Sequence, residues 1–161
     1  MTTTISGSTG VNQITDDAIT AAKLPVGSVL QVVMGTNSTQ VAMTSATFAD
    51  VGLEATITPS STSSKILILW NASINLQAAD AGAGTRLLRD ATDIYTSGSL
   101  YDVYQGTNND TRARPDYKHL DSPSTTSAIV YKVQAASYLS RNIRLNNGSN
   151  ESEIILMEIA G

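Results

Sequence analysis

A single run, Lys65 to Leu76 (KILILWNASINL), restricts the chain more than any other segment. Ile66, Ile68, Trp70, Ala72, Ile74 and Leu76 recur at every second residue, the period of a β-strand and not of a helix. At ~3.3 Å per residue such a strand runs ~40 Å, longer than most. Leu67 and Leu69 put apolar groups on the opposite face as well. A solvated antiparallel strand keeps one face polar, so this one is either central or meets another subunit.

The rest of the chain repeats the theme at shorter length. Leu53-Glu54-Ala55-Thr56-Ile57-Thr58 alternates apolar and polar, and Pro59 with Ser60 to Ser64 ends it in a turn or loop. Further candidate strands are Val29–Met34, Gln40–Thr44, Thr85–Arg89, Asp93–Thr96, Ser99–Gln105, Thr126–Gln134, Leu139–Leu145 and Glu153–Ile159. Asn146-Asn147-Gly148 supplies a turn and Ala81-Gly82-Ala83-Gly84 reads as a flexible one, while Gln105–Pro123 reads as a polar surface loop. Many short strands at regular intervals predict an all-β fold, an antiparallel β-sandwich of the jelly-roll kind, over residues 28–161. Residues 1–27 form a separate N-terminal arm. Within it Thr15 can cap a helix of about ten residues that Pro25 stops, too short to persist alone in water. Ile14, Ile19 and Leu24 are its apolar side chains for anchoring or oligomerisation.

Composition narrows the function. With 161 residues and 41% hydrophobic side chains the chain can bury one domain's core without staples. Only 15% of residues are charged and the formal net charge is −4, the wrong balance for neutralising phosphates, so nucleic acid is not an expected partner. No basic and apolar leader opens the chain, and no stretch approaches the ~18 apolar residues of a membrane span. No membrane partner is expected.

Reactive chemistry is equally sparse. There is no cysteine, and His119 is the one histidine, set among polar residues with Asp116 and Asp121 nearby. Neither a zinc-ligand pattern nor a phosphate-binding glycine loop is present. Asn108-Asn109-Asp110 has oxygens suited to calcium, without the spacing of a known calcium loop. The expectation is a non-enzyme with no cofactor, no metal and no catalytic residue. Five matches to the Asn-x-Ser/Thr sequon, such as Asn71-Ala72-Ser73, are what chance produces in a chain this rich in those residues. The one local concentration of basic and aromatic residues is Arg86, Arg89, Tyr101, Tyr104, Arg112, Arg114, Tyr117 and Lys118. Arg and Tyr are enriched at interfaces, so this stretch is the candidate contact surface for an acidic partner subunit or an anionic surface glycan.

These residues also carry a resemblance. Ile14-Thr15-Asp16-Asp17-Ala18-Ile19-Thr20-Ala21-Ala22-Lys23-Leu24 resembles segments near the starts of bacteriophage tail-fibre proteins. Thr58-Pro59-Ser60-Ser61-Thr62-Ser63-Ser64-Lys65-Ile66-Leu67 is similar to a signature of virion proteins of marine and cyanobacterial phages, and Leu120-Asp121-Ser122-Pro123-Ser124-Thr125-Thr126-Ser127-Ala128 and Leu156-Met157-Glu158-Ile159 belong to the same pattern. The resemblance implies a virion structural protein with a trimeric jelly-roll domain, broadly like complement C1q and tumour-necrosis-factor modules. It would be made in the host cytoplasm and would partner itself and other tail or capsid proteins. A tail-fibre-like subunit mediating attachment is the first reading. A capsid decoration (cement) protein is the alternative, favoured by the short chain with one head segment and no shaft.

Overall fold

The computed structural model describes residues 23–107 and 110–161. The described chain is almost wholly strand: β1 (Val29–Asn37), β2 (Val41–Met43), β3 (Ala49–Ile57), β4 (Lys65–Asn71), β5 (Ile74–Leu76), β6 (Ala81–Arg89) and β7 (Thr92–Thr96). There follow β8 (Val103–Gln105), β9 (Thr111–Ala113), β10 (Asp116–Asp121), β11 (Ile129–Ser137), β12 (Ile143–Leu145) and β13 (Ser152–Ile159), with a 3₁₀ turn at Tyr138–Ser140.

Strand order gives the architecture. One sheet runs β1-β13-β4-β10 and a second runs β2-β12-β5-β9, so the same four chain segments continue from one to the other as two halves of a layer. The opposing layer runs β3-β11-β6-β7, with β8 also paired to β6. Every pairing is antiparallel. Numbering the long segments in chain order, the layers read 1-8-3-6 and 2-7-4-5, the winding of an antiparallel jelly-roll sandwich.

The core lies between the layers and is built by the predicted alternation. Ile66, Ile68 and Trp70 of β4 and Ile154 and Leu156 of β13 face Leu53 and Ile57 of β3, Leu87 of β6 and Tyr131 and Val133 of β11, all buried. Each such aliphatic side chain contributes about 1.5–3 kcal/mol of burial. The long strand is interrupted once, between β4 and β5. There the Ala72 N–H donates to the Pro115 carbonyl (3.3 Å) and the Ser73 N–H to Ser152 Oγ (2.9 Å), so the break leaves no backbone donor unsatisfied.

Two loop expectations and one strand expectation are corrected. Gln105–Pro123 is not one loop: it contains β9 and β10, and Tyr117 and His119 turn inward while Asp116, Lys118 and Leu120 turn out. His119 therefore sits in a strand, its ring 6.3 Å from that of Tyr95, and not in a polar loop. Ala81-Gly82-Ala83-Gly84 is buried strand at the start of β6. Its glycines are needed because the 97–100 loop lies flat on them: a Cβ on Gly82 would stand 2.7 Å from the Leu100 carbonyl oxygen, and one on Gly84 2.7 Å from Ser97 Oγ. Leu139 lies in the 3₁₀ turn before β12, with φ at 50°, and not in a strand.

The open edge of the sandwich is closed where β1 crosses β3. Asn37 Nδ2 donates to the Val51 carbonyl at 2.7 Å. At Gly35 a Cβ would drive into the Glu54 carbonyl oxygen and stand 3.2 Å from Ile154 Cγ2. Backbone cannot yield as a side-chain tip does. Gly35→Ala should therefore lower unfolding free energy by about 3 kcal/mol, read as a shifted midpoint in a denaturant titration. An unshifted midpoint would show that the two strands separate freely.

Candidate functional site: an uncovered apolar sheet face

In an ordinary sandwich both outer faces are polar. The outer face of the β3-β11-β6 layer obeys this. Glu54 pairs in register with Lys132, Lys132 Nζ lies 3.3 Å from Asp50 Oδ2, and Gln134 donates to Asp50 and accepts from Arg86 Nε at 2.7 Å. The Gln134 hydrogen bond, with Lys132 adding to it, holds the Asp50 carboxyl below its ordinary range.

The outer face of the β1-β13-β4-β10 sheet does not obey it. Register places Val32, Met157, Leu67 and Leu120 in one row straight across the four strands. Met34, Ile155 and Leu69 make a second row, ended by Lys118 on β10. Ile159 beside Lys65 extends the apolar surface toward one end, and Thr36, Glu153, Asn71 and Asp116 close it at the other. Val32, Met34, Leu120 and Val29 keep 57, 54, 53 and 51% of their surface exposed. Among the described residues no strand or helix forms a layer over them. A shallow depression of about 300 Å³ sits on this face, lined by Leu69, Asn71, Lys118, Glu153 and Ile155. The apolar second side of the Lys65–Leu76 run thus belongs to a strand that is both central, between β13 and β10, and turned outward to an uncovered surface.

The basic and aromatic residues singled out in the sequence are not one surface. Arg89 points between the layers, its Nη1 3.0 Å from both oxygens of Asp121, which also accepts from the Tyr131 hydroxyl at 2.7 Å. Burial and the neighbouring Asp121 raise the Tyr131 pKa. Tyr117 is also turned inward, stacked on Trp70 at 5.1 Å, and burial pushes its pKa up. Arg86 lies over the Phe48 ring at 4.8 Å, held by Gln134 and 3.7 Å from Asp93. Tyr101 and Tyr104 gather at one end of the second layer with Tyr138, centroids 4.2–6.2 Å apart, and the Tyr104 hydroxyl donates to Asp80 at 3.0 Å. Only Arg112, Arg114 and Lys118 stand exposed on the first layer. Leu24 is exposed at the start of the described chain, while Ile14, Ile19 and the predicted helix from Thr15 up to residue 22 lie outside the described residues. So do Asn108 and Asn109, and Asp110 is engaged by Asn75 Nδ2 at 2.7 Å.

Two features escape a sequence reading. Tyr138 lies far along the chain from its ring partners. The serines of the Thr58–Leu67 signature converge on one buried carboxylate: Glu158 accepts from Ser60 N–H (2.7 Å), Ser60 Oγ (2.6 Å), Ser64 Oγ (2.6 Å) and Gln31 Nε2 (2.6 Å). Burial alone would raise the Glu158 pKa, but these donors outweigh it and hold it below the ordinary carboxylate range. A signal existed in the Ser-rich turn, but nothing marked its partner 94–98 residues away.

No family model matches the chain, and no curated protein does. Among solved structures it is similar to a chain of infectious bursal disease virus, Gx strain, with TM-score 0.54 and 12% identity over 81% of this chain and 32% of that one. A crystal structure of the same virus's VP2 subviral particle aligns at TM-score 0.45, 10% identity, 83% of this chain and 38% of that chain. The protein thus spans about a third of the length of the chains it matches. The Gx-strain alignment, at 12% identity, is a likeness of fold: an all-β jelly-roll sandwich shared with a viral protein.

Proposed function

We propose that this chain is a non-enzymatic structural subunit of a virus particle, a bacteriophage on the reading its motifs support. It forms homotrimers in which sister chains cover the outer face of the β1-β13-β4-β10 sheet. One observation carries the reading: two rows of large apolar side chains lie across that face while the opposite outer face is an ordinary polar one. Monomers rarely leave contiguous apolar patches uncovered, and at ~25 cal/mol per Å² removed from water such a face is a strong drive to associate. The jelly-roll winding and the viral fold likeness support a particle role.

Residues 1–27 are then the arm that docks the subunit on another particle protein, and the sandwich makes the outward contact, as a tail-fibre-like attachment subunit would. A decoration protein on the head is the second reading, and copy number per particle separates them, since decoration proteins are far more numerous than fibres. Light scattering on the full chain at micromolar concentration tests the assembly. A stable trimer is expected. A chain lacking Met1–Pro25 should keep the folded sandwich yet fail to bind particles depleted of the protein. A stable monomer would end the assembly reading, and a truncated chain that cannot fold would end the division into arm and sandwich.

A further inference from the structure

The first layer's two halves differ in chemistry. Below the apolar rows the outer side of the β2-β12-β5-β9 sheet carries Arg112 on β9, Arg114 just after it and Arg144 on β12, the last in register with Asn75 of β5. In a chain of net charge −4 this is a local reversal of sign. Beside the arginines lies a cleft of about 280 Å³ lined by Arg112, Arg114, Ser73, Asn75, Asn147 and Asn150.

The cleft is held in shape from below and from the side. Asn75 is 2% exposed, and its amide is fixed by donation to Asp110 Oδ1 (2.7 Å) and by acceptance from Asn147 Nδ2 (2.9 Å). Asn150 Nδ2 donates to the Asn147 carbonyl, which braces the loop between β12 and β13. The buried Gln105 fixes the start of β9: its Nε2 donates to the Ala78 carbonyl at 2.6 Å, and its Oε1 accepts the Thr111 N–H at 3.1 Å. The charge, by contrast, is left available. Arg112 has 60% of its side chain exposed and only a 3.7 Å approach to Asp110, and Arg114 has no ion pair among the described residues.

We infer that this cleft binds an acidic saccharide, its carboxylate or sulfate held by the Arg112 and Arg114 guanidinium groups and its hydroxyls by the amides of Asn147 and Asn150. Guanidinium forks match planar or tetrahedral oxyanions, and amide and hydroxyl walls match a ligand dense in hydroxyl groups. A protein partner fits less well. Binding energy at protein interfaces comes from buried aromatic and large apolar anchors, and here Ile74 and Ala113 are the sole apolar residues in the lining. The inference refines the contact role proposed above but stands on the cleft itself, and the assembly measurement does not depend on it.

The test is calorimetric titration of the full chain with a sulfated oligosaccharide, a uronate oligosaccharide, a neutral oligosaccharide of equal length and a poly-glutamate of equal charge. At least one acidic saccharide should bind and the neutral one should not. Arg112→Gln with Arg114→Gln should weaken that binding by about tenfold or more, through loss of two charge-assisted contacts. Arg86→Gln, on the other layer, should leave it unchanged. The double variant's melting curve and particle size report separately on fold and assembly. Absence of saccharide binding would overturn the inference. So would poly-glutamate binding as tightly, or an unaltered affinity in a folded double variant.

Discussion

Leu67→Lys combined with Met157→Glu should turn the assembled protein into folded monomers. The two positions face each other in register on β4 and β13, at the middle of the apolar row between Val32 and Leu120. Interface energy concentrates in such central, fully desolvated positions, and a charge placed there must be stripped of water for sister chains to meet. Two substitutions of this kind should weaken self-association by about 100-fold or more. Opposite signs are chosen so that the pair makes a cross-strand ion pair within one chain and not a repulsion. Since both side chains are only half-buried and point away from the core, the monomer's melting temperature should move little. Light scattering across a dilution series, beside a thermal melt, reads both quantities. Glu54→Gln on the polar layer is the control. If the double variant assembles like the parent, the outer face is not where the chains meet.

The face was partly legible in advance, and why it was legible only in part is instructive. Period two in Lys65–Leu76 identifies the strand, and Leu67 and Leu69 identify its second apolar side, because both facts are local. Val32, Met34, Leu120 and Met157 join that surface only through register between strands far apart in the chain, which local patterning does not encode. β10 was hidden for a different reason. Its inward residues are Tyr117, His119 and Asp121, and a strand whose core side is aromatic and acidic does not read as alternation of apolar and polar. The glycines of β6 misled in the opposite sense, since a residue chosen for close approach looks the same as one chosen for a turn. The contact surface proposed from clustered Arg and Tyr fails as a unit because pairing is long-range. Arg89 is taken by Asp121 inside the sandwich and Tyr117 by Trp70, so closeness in sequence overstated closeness in space. Two of the motif segments that carry the phage resemblance, Leu120–Pro123 and Leu156–Ile159, each supply a buried carboxylate, Asp121 and Glu158.

Glu158 is a severe test of the fold. Its side chain is fully buried with no cation beside it, and its charge is stabilised by Gln31, Ser60 and Ser64, which tie β13 to β1 and to the turn before β4. Glu158→Ala removes the acceptor and leaves the buried Ser64 hydroxyl without a partner, while the exposed Ser60 can turn to water. The lost charge-assisted hydrogen bonds and one orphaned buried donor put the loss of unfolding free energy at about 2–4 kcal/mol. At roughly 2–4 °C per kcal/mol for a domain of this size, the melting temperature should fall by about 10 °C. Glu158→Gln keeps the shape but sets an amide NH₂ against donors, so it should fall between the two. The pH dependence separates the carboxylate from mere packing. The folded pKa of Glu158 lies below its unfolded value of about 4.3, so between the two the unfolded chain binds more protons and stability rises with pH. The stabilisation is complete above the unfolded value and is lost as pH falls through the folded one. The stability difference between the parent and Glu158→Gln should therefore be constant near neutrality and shrink on acidification below about pH 4. Parallel stability curves for the two proteins to well below that pH would mean that the charge on Glu158 contributes nothing. The serine turn would then be held by chain geometry alone.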